Sequence, residues 1–372
     1  MVSPHRMIRH LYVHIPFCAR ICPYCAFYKD LPGDRVVTAS FCSAIVAELA
    51  RAVNQFTIIP ETIFFGGGTP TALGIDQLQS LLTGFRNLVD FSHVREFTVE
   101  ANPGSVSRRK AAALRDGGVT RMSLGVQSWD DGLLTLLGRE HGAAQAEQTF
   151  RTLRKVGFGS INIDLMFGLP GQTEAQWRAT LDKTVSLGPD HISAYCLTFE
   201  EDTDFFLRHR RGEFVSDTDH EADLFAIAAA TLADAGYEHY EISNYARRNH
   251  RSMHNQAYWA GEDYLGLGPS AFSTIGGERW QNVCDYRRYS ELVLSSQSPI
   301  ASVENLTAEM KHSERVALGL RTADGVPVAA LAGWPGEVSQ FTSLGLLARR
   351  NGSYVLTPAG KCLADEIAAA FV

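Results

Sequence analysis

The chain contains no apolar run approaching the ~20 residues that a bilayer-crossing helix needs. Its first residues, Met-Val-Ser-Pro-His-Arg-Met-Ile-Arg-His, carry no apolar core of the secretory kind. It also has no surplus of positive charge. With 34 Lys and Arg against 41 Asp and Glu, the net charge of −7 argues against a general nucleic-acid or anionic-membrane surface. Low-complexity tracts and repeat arrays are missing. Cysteine is sparse, 7 among 372 residues, and Cys42, Cys196, Cys284 and Cys362 are scattered as small core residues usually are. Unpaired cysteines without an export signal fit a reducing cytoplasm.

The other three cysteines are clustered. Cys18, Cys22 and Cys25 form a C-x3-C-x2-C run, His14-Ile-Pro-Phe-Cys18-Ala-Arg-Ile-Cys22-Pro-Tyr24-Cys25-Ala-Phe27, with no fourth cysteine close by. A disulfide suits three cysteines packed this tightly poorly. A zinc site usually wants four ligands in paired spacings. His14 could complete a set, although it lies in an apparent strand. Thiolates are also the usual ligands of iron–sulfur clusters, and four of them saturate a four-iron cluster. Three on one loop would leave one iron open to a small molecule.

Short apolar strands alternate with amphipathic stretches at a period of roughly thirty residues, as in βαβ units with parallel strands. Strands are expected at His10–Ile15, Thr62–Phe65, Glu96–Glu100, Arg121–Val126, Ser160–Met166 and His191–Leu197. Helices are expected at Ala39–Val53, Ile75–Leu88, Ser107–Asp116, Ala143–Val156 and Glu174–Leu187, then at about Asp219–Ala235. Six units fall short of a closed eightfold barrel, so the expected class is α/β with an open, partial (β/α)6 barrel. The domains are expected at 1–240 for the barrel, 241–300 for a linking region and 301–372 for a separate C-terminal domain. In the last, Ala308–Leu320 and Val326–Ala332 read as helices. Phe341–Leu347, Tyr354–Gly360 and Lys361–Phe371 read as helix, short wing and helix, a winged-helix-like order.

The polar and glycine-rich runs follow the strands. The cysteine loop follows the first, and Gly66-Gly67-Gly68-Thr69-Pro-Thr71 follows the second. Glu100-Ala-Asn-Pro-Gly104 ends the third, Gln127 the fourth, and Asp164 lies in the fifth. Strand C-terminal ends carry the chemistry of α/β barrels, so these residues are expected to converge. The glycine run matches neither a phosphate loop nor a dinucleotide fingerprint; it lets backbone approach a ligand closely. Asp164, flanked by Ile163 and Leu165, needs a partner if buried; a ribose hydroxyl or a protein cation would serve.

The cysteine loop and the glycine run resemble the radical S-adenosylmethionine (SAM) superfamily. Tyr12-Val-His-Ile-Pro-Phe-Cys18, Phe65-Gly-Gly-Gly-Thr-Pro-Thr71, Val99-Glu100-Ala-Asn-Pro, Ser123-Leu-Gly-Val-Gln127 and Asn162-Ile-Asp164-Leu-Met-Phe-Gly-Leu-Pro170 resemble its coproporphyrinogen-oxidase-like branch. The resemblance implies a [4Fe–4S] cluster on Cys18, Cys22 and Cys25 whose fourth iron SAM chelates. Electron transfer to the sulfonium would then yield methionine and a 5′-deoxyadenosyl radical. It implies Tyr12, Gly67 and Glu100 as contacts of that SAM. Tyr24, Gly68, Thr69, Gln127, Arg139 and Asp164 match contacts of a second SAM in the porphyrinogen-oxidising members. Whether one or two SAM molecules bind, and whether SAM is cleaved or only held, stays open.

Two departures separate this chain from the oxygen-independent coproporphyrinogen III oxidases. Phe27 stands where they carry a fourth cysteine, and only about ten residues precede the first strand. Both features resemble the HemW-type heme chaperones. His254-Asn255-Gln-Ala-Tyr258-Trp259 matches a histidine-containing motif of that branch. The resemblance implies heme as a ligand, haemoproteins as recipients (with peripheral membrane association through them) and an electron donor. An imidazole is a common axial ligand of heme, so His254 is the candidate; His250 competes, and a structural histidine beside core aromatics is the alternative. The competing functions are porphyrinogen decarboxylation, another radical SAM reaction, and nucleic-acid reading by the C-terminal domain. For the last, Arg349, Arg350 and Lys361 are too few for a phosphate-binding footprint.

Overall fold

A computed structural model describes residues 6–372. Residues 1–5, which open the segment expected to lack an export signal, lie outside the described residues. The chain forms two compact units. One comprises residues 6–165, 198–215 and 263–305, the other residues 166–197, 216–262 and 306–372.

In the first unit, β1 (Met7–Ile15), β2 (Thr57–Gly67), β3 (Glu96–Ala101), β4 (Arg121–Gln127) and β5 (Ser160–Phe167) pair in parallel, each with the next. Between them run α1 (Arg35–Ala52), α2 (Ile75–Leu88), α3 (Arg108–Asp116), then α4 (Asp131–Leu136) and α5 (Ala143–Val156). Ile63, Phe65, Phe97, Val99, Met122, Leu124, Ile161 and Ile163 are fully buried. The alternate positions Thr62, Thr98, Ser123 and Asn162 are buried as well, so these strands are covered on both faces, apolar on one and polar on the other. The Phe65 ring sits edge-on to Phe97 at 5.0 Å and to Phe85 of α2 at 5.3 Å. Helix α1 begins at Arg35, four residues before the expected Ala39, because the Asp34 carboxylate accepts from the Val36 and Val37 amides at 2.9 Å.

The other edge of β1 pairs in parallel with strand Tyr264–Leu267, and strands Phe272–Ile275, Glu278–Asn282 and Ile300–Asn305 continue antiparallel from there. The aromatic-rich stretch after the βα repeats therefore extends the sheet. The Glu48 carboxylate of α1 holds this extension. It accepts from the Gly268 amide at 2.8 Å, from Asn282 Nδ2 at 2.8 Å and from the Tyr289 hydroxyl at 2.5 Å. Burial raises its pKa, opposed by these hydrogen bonds.

In the second unit, β6 (His191–Cys196) pairs antiparallel with Asn244–Ala246, which pairs with Glu238–Glu241. Helices α6 (Glu174–Leu187) and Thr218–Asp234 also belong to it. Trp177 of α6 is fully buried, donates Nε1 to the Leu224 carbonyl at 2.9 Å and lies 5.4 Å from the Phe167 ring. Towards the C-terminus, helix Ala308–Leu320 leads to a short strand, Val326–Pro327, a 3-10 turn and helix Pro335–Ser343. The hairpin Leu347–Arg350 and Ser353–Leu356 follows, with two short helices after it. Strand Ser353–Leu356 lies between the other two in one antiparallel sheet. Val316, Leu320, Val326, Leu331, Leu347, Leu356, Ile367 and Phe371 form the core.

Three C-terminal expectations need correction. Lys361–Phe371 is not one helix: Pro358–Cys362 and Ala364–Ala369 are separate, broken at Leu363. Val326–Ala332 is not an α-helix, since Pro327 lacks an amide hydrogen and pushes Val326 into the extended region, where it pairs with Tyr354. Phe341–Leu347 is not a helix of its own. The helix runs from Pro335 to Ser343 and ends before Gly345, whose φ is 71°.

Replacing Trp177 by Ala removes a buried ring and its hydrogen bond, an expected loss of about 3–5 kcal/mol readable as a lowered urea midpoint.

Candidate functional site

The ends of β1 and β2 are stitched together. The Gly68 amide donates to the Ile15 carbonyl at 2.9 Å and the Thr69 amide to the Phe17 carbonyl at 2.7 Å. Contact this close requires glycine: a β-carbon at Gly68 would lie 2.5 Å from the Pro16 carbonyl carbon and oxygen. Gly67 has a φ of 104° and faces the His14 ring, 2.6 Å from where its β-carbon would stand. The cysteine loop leaves from this seam and returns to it. The Cys18 amide donates to the Asp30 carbonyl at 2.9 Å, and the Asp30 amide to the Pro16 carbonyl at 2.8 Å.

Cys18, Cys22 and Cys25 are free and half-buried. Among the described residues no three His, Cys, Asp or Glu side chains gather around a single ion; a four-iron cluster asks instead for one thiolate per iron. Cys18 Sγ lies 3.6 Å from the Thr69 hydroxyl, and Cys22 Sγ lies 3.6 Å from Arg139 Nη1. Burial raises the pKa of Cys18, with the Thr69 hydrogen bond opposing it; burial likewise raises Cys25, with Lys29 opposing.

Arg139, between α4 and α5, gathers the neighbouring loops. It donates to the Gly125 carbonyl at 2.7 Å and to Asn102 Oδ1, and reaches the Tyr24 hydroxyl at 3.5 Å. Asn102 Nδ2 donates in turn to the Thr69 hydroxyl at 2.8 Å. The Nε of Arg139 is buried without a partner. Tyr24 rests against Phe205 at 6.2 Å.

Tyr12 and His14, two apart on β1, bond through the Tyr12 hydroxyl and His14 Nδ1 at 3.0 Å, and His14 Nε2 meets the Tyr28 carbonyl at 2.8 Å. Burial pushes the His14 imidazole down to about 4, with the Tyr28 carbonyl opposing. His14 thus has protein partners on both nitrogens. The Glu100 carboxylate accepts from the Gly67 amide at 3.2 Å. Burial, with Asp164 adding to it, pushes the Glu100 carboxyl up to about 8. Asp164, half-buried, takes hydrogen bonds from the neutral donors Ser123 Oγ at 3.0 Å and Asn162 Nδ2 at 2.6 Å. At Gln127, a bulge in the β4–β5 pairing and a left-handed φ of 69° re-aim the side chain.

His254 belongs to the second unit, in the first turn of helix Met253–Trp259. Ser252 caps that helix by accepting from the Asn255 amide, and its own amide donates to the buried Tyr240 hydroxyl at 3.1 Å. His254 is half-buried and shares a helix face with Tyr258 four residues on, which is 48% exposed. His250, the competitor, lies 4.0 Å from the Asp190 carboxylate, and Trp259 leans on Tyr240 at 6.0 Å.

Sequence reasoning missed Asn102, Ser123 and Asn162, all within quoted motifs but with roles set by neighbours on other strands. The Glu100 shift yields a pH prediction. From its ordinary value of 4.5 up to about 8, the folded carboxyl keeps a proton that the unfolded chain releases, so stability falls as pH rises through that window. Glu100→Gln should stabilise the cofactor-free protein increasingly between about pH 5 and about pH 8, as read by urea melts.

Comparison with known proteins places this geometry. Residues 12–184 match the Radical SAM superfamily. The heme chaperone HemW of Bacillus subtilis is 35% identical over 98% of this chain and 99% of that protein. HemW of Lactococcus lactis is 37% identical over 85% of this chain and 82% of that protein. The coproporphyrinogen III oxidase HemN of Escherichia coli has a TM-score of 0.84, covering 99% of this chain and 91% of that chain at 24% identity, a likeness of fold. The α/β architecture is thus the radical SAM fold, and the superfamily implies a [4Fe–4S] cluster and SAM. The chain belongs to the radical SAM superfamily, in the family formed by these HemW proteins.

Proposed function

We propose that this protein is a heme chaperone that holds a [4Fe–4S] cluster and SAM in its first unit, binds heme through His254, and passes it to haemoproteins in the cytoplasm. The observation that carries the reading is the 35% identity to a HemW protein along nearly the whole of both chains. Phe27 in place of a fourth cysteine supports it against the oxidase reading. No helix among the described residues is long and apolar enough to cross a membrane.

The residues present suit the cofactors. Three free, half-buried thiols sit on one pinned loop, a glycine seam a β-carbon would fill lies beside it, and Arg139 Nε is buried without a partner. Cys18, Cys22 and Cys25 would hold the cluster; Tyr12, Gly67 and Glu100 would face the SAM on its open iron. Tyr24, Gly68, Thr69, Gln127, Arg139 and Asp164 would line the remainder of the cofactor pocket. The cluster and SAM together supply one-electron chemistry at a sulfonium. Arg139, donating towards Cys22 Sγ, would tune a cluster held there through its charge and a hydrogen bond to sulfur. Because burial raises the Cys18 and Cys25 thiols, loading must release their protons. On the heme side, His254 offers an imidazole and Tyr258 a flat ring beside it.

Heme titration should give a Soret shift that His254→Ala alters while cluster absorbance stays, and anaerobic reconstitution of Cys22→Ser should leave much less iron bound. No heme binding at all would sink the chaperone reading. Turnover of coproporphyrinogen III under reducing, anaerobic conditions would replace it with the oxidase.

A further inference from the structure

In the second unit, helix Met253–Trp259 has only seven residues, fewer than a helix needs to hold itself together in water. Tertiary contacts must fix it, and several of them meet on one side chain, Tyr240 of strand Glu238–Glu241. Tyr240 is buried and lies outside the His254–Trp259 run that the sequence singled out.

The two ends of this side chain act on the two ends of the helix. The Tyr240 hydroxyl accepts from the Ser252 amide at 3.1 Å and is hydrogen-bonded to His191 Nε2 of β6 at 2.7 Å. Ser252 in turn builds the first turn, where His254 sits. Its Oγ accepts from the Asn255 amide at 3.4 Å and its carbonyl from the Gln256 amide at 3.0 Å. The Tyr240 ring meets Trp259, the last helical residue, at 6.0 Å, and the Arg251 guanidinium covers it at 5.3 Å. The buried His191 ring stands edge-on to Tyr240 at 5.5 Å, so the hydroxyl is held from the side of the sheet. One path of hydrogen bonds thus runs from β6 through Tyr240 and Ser252 to the turn that carries His254.

We propose that Tyr240 is a positioning residue for heme: through Ser252 it sets the direction in which the His254 imidazole meets the iron. The proposal rests on the reading of His254 as the heme ligand. An axial imidazole has to aim one ring nitrogen along the iron's axis, and the groups behind a ligand govern that aim. In a helix this short the aim is only as firm as the first turn, and the first turn is only as firm as Ser252. Buried as it is, Tyr240 acts through the helix and not on the heme itself.

The test is titration of ferric heme into the intact, cluster-loaded chain, with the Soret band at saturation as the readout. His254→Ala gives the spectrum of the site without its ligand. Tyr240→Phe keeps the ring and removes the hydroxyl; it should weaken heme binding about three- to tenfold and move the saturated band towards that of His254→Ala. Ser252→Ala, with Tyr240 intact, should move the band the same way. In the His254→Ala background Tyr240→Phe should add nothing, since a residue acting through His254 then has nothing to orient. Tyr237→Phe controls for lost stability: it removes another buried tyrosine hydrogen bond of this unit, to the Pro189 carbonyl at 2.7 Å, and should leave band and affinity unchanged. A Tyr240→Phe band like the parent's, or an equal loss of affinity in both backgrounds, would overturn the proposal while the heme reading stands. A His254→Ala band like the parent's would remove the ligand assignment and the proposal together, so the two failures are told apart.

Discussion

The seam between the ends of β1 and β2 governs the rest of the first unit. Two backbone hydrogen bonds, Gly68 to Ile15 and Thr69 to Phe17, bring the chain so close to Pro16 that only glycine fits. That approach places the Thr69 hydroxyl beside Cys18 and, through Asn102, links it to Arg139. Arg139 then reaches Cys22. A single close contact between neighbouring strands thereby orders three loops from different parts of the chain, which side-chain packing alone does less sharply because long side chains can re-pack.

The charges at the strand ends are arranged unevenly. Burial, and then Asp164, raise the cost of ionising Glu100, and Asp164 is met by the neutral donors Ser123 and Asn162. On the side of Cys22 the balance reverses, with Arg139, Arg20 and Lys110 against Glu140.

The six strands and the residues at their C-terminal ends were legible in the sequence, because parallel strands buried on both faces read as short apolar runs and the polar runs fall after them. The gathering of Asn102 and Arg139 was not, since it depends on side chains meeting across β3 and β4. His14 lay in an apparent strand and could have completed a ligand set, yet its two ring nitrogens are held by Tyr12 and Tyr28. Local chemistry at single residues also shifted boundaries. Asp34 started α1 early, and Pro327 turned an apparent helix into a strand and a 3-10 turn. The helix carrying His254 was hidden by its shortness, seven residues, too few for periodicity to register.

The burial that raises the Cys18 and Cys25 thiols has a consequence for the newly made chain. The thiolate is the form that oxidants attack, and burial opposes that form at these two sulfurs. At Cys18 and Cys25 burial therefore works against oxidation as well as against ligation, and iron must displace a proton to bind either sulfur.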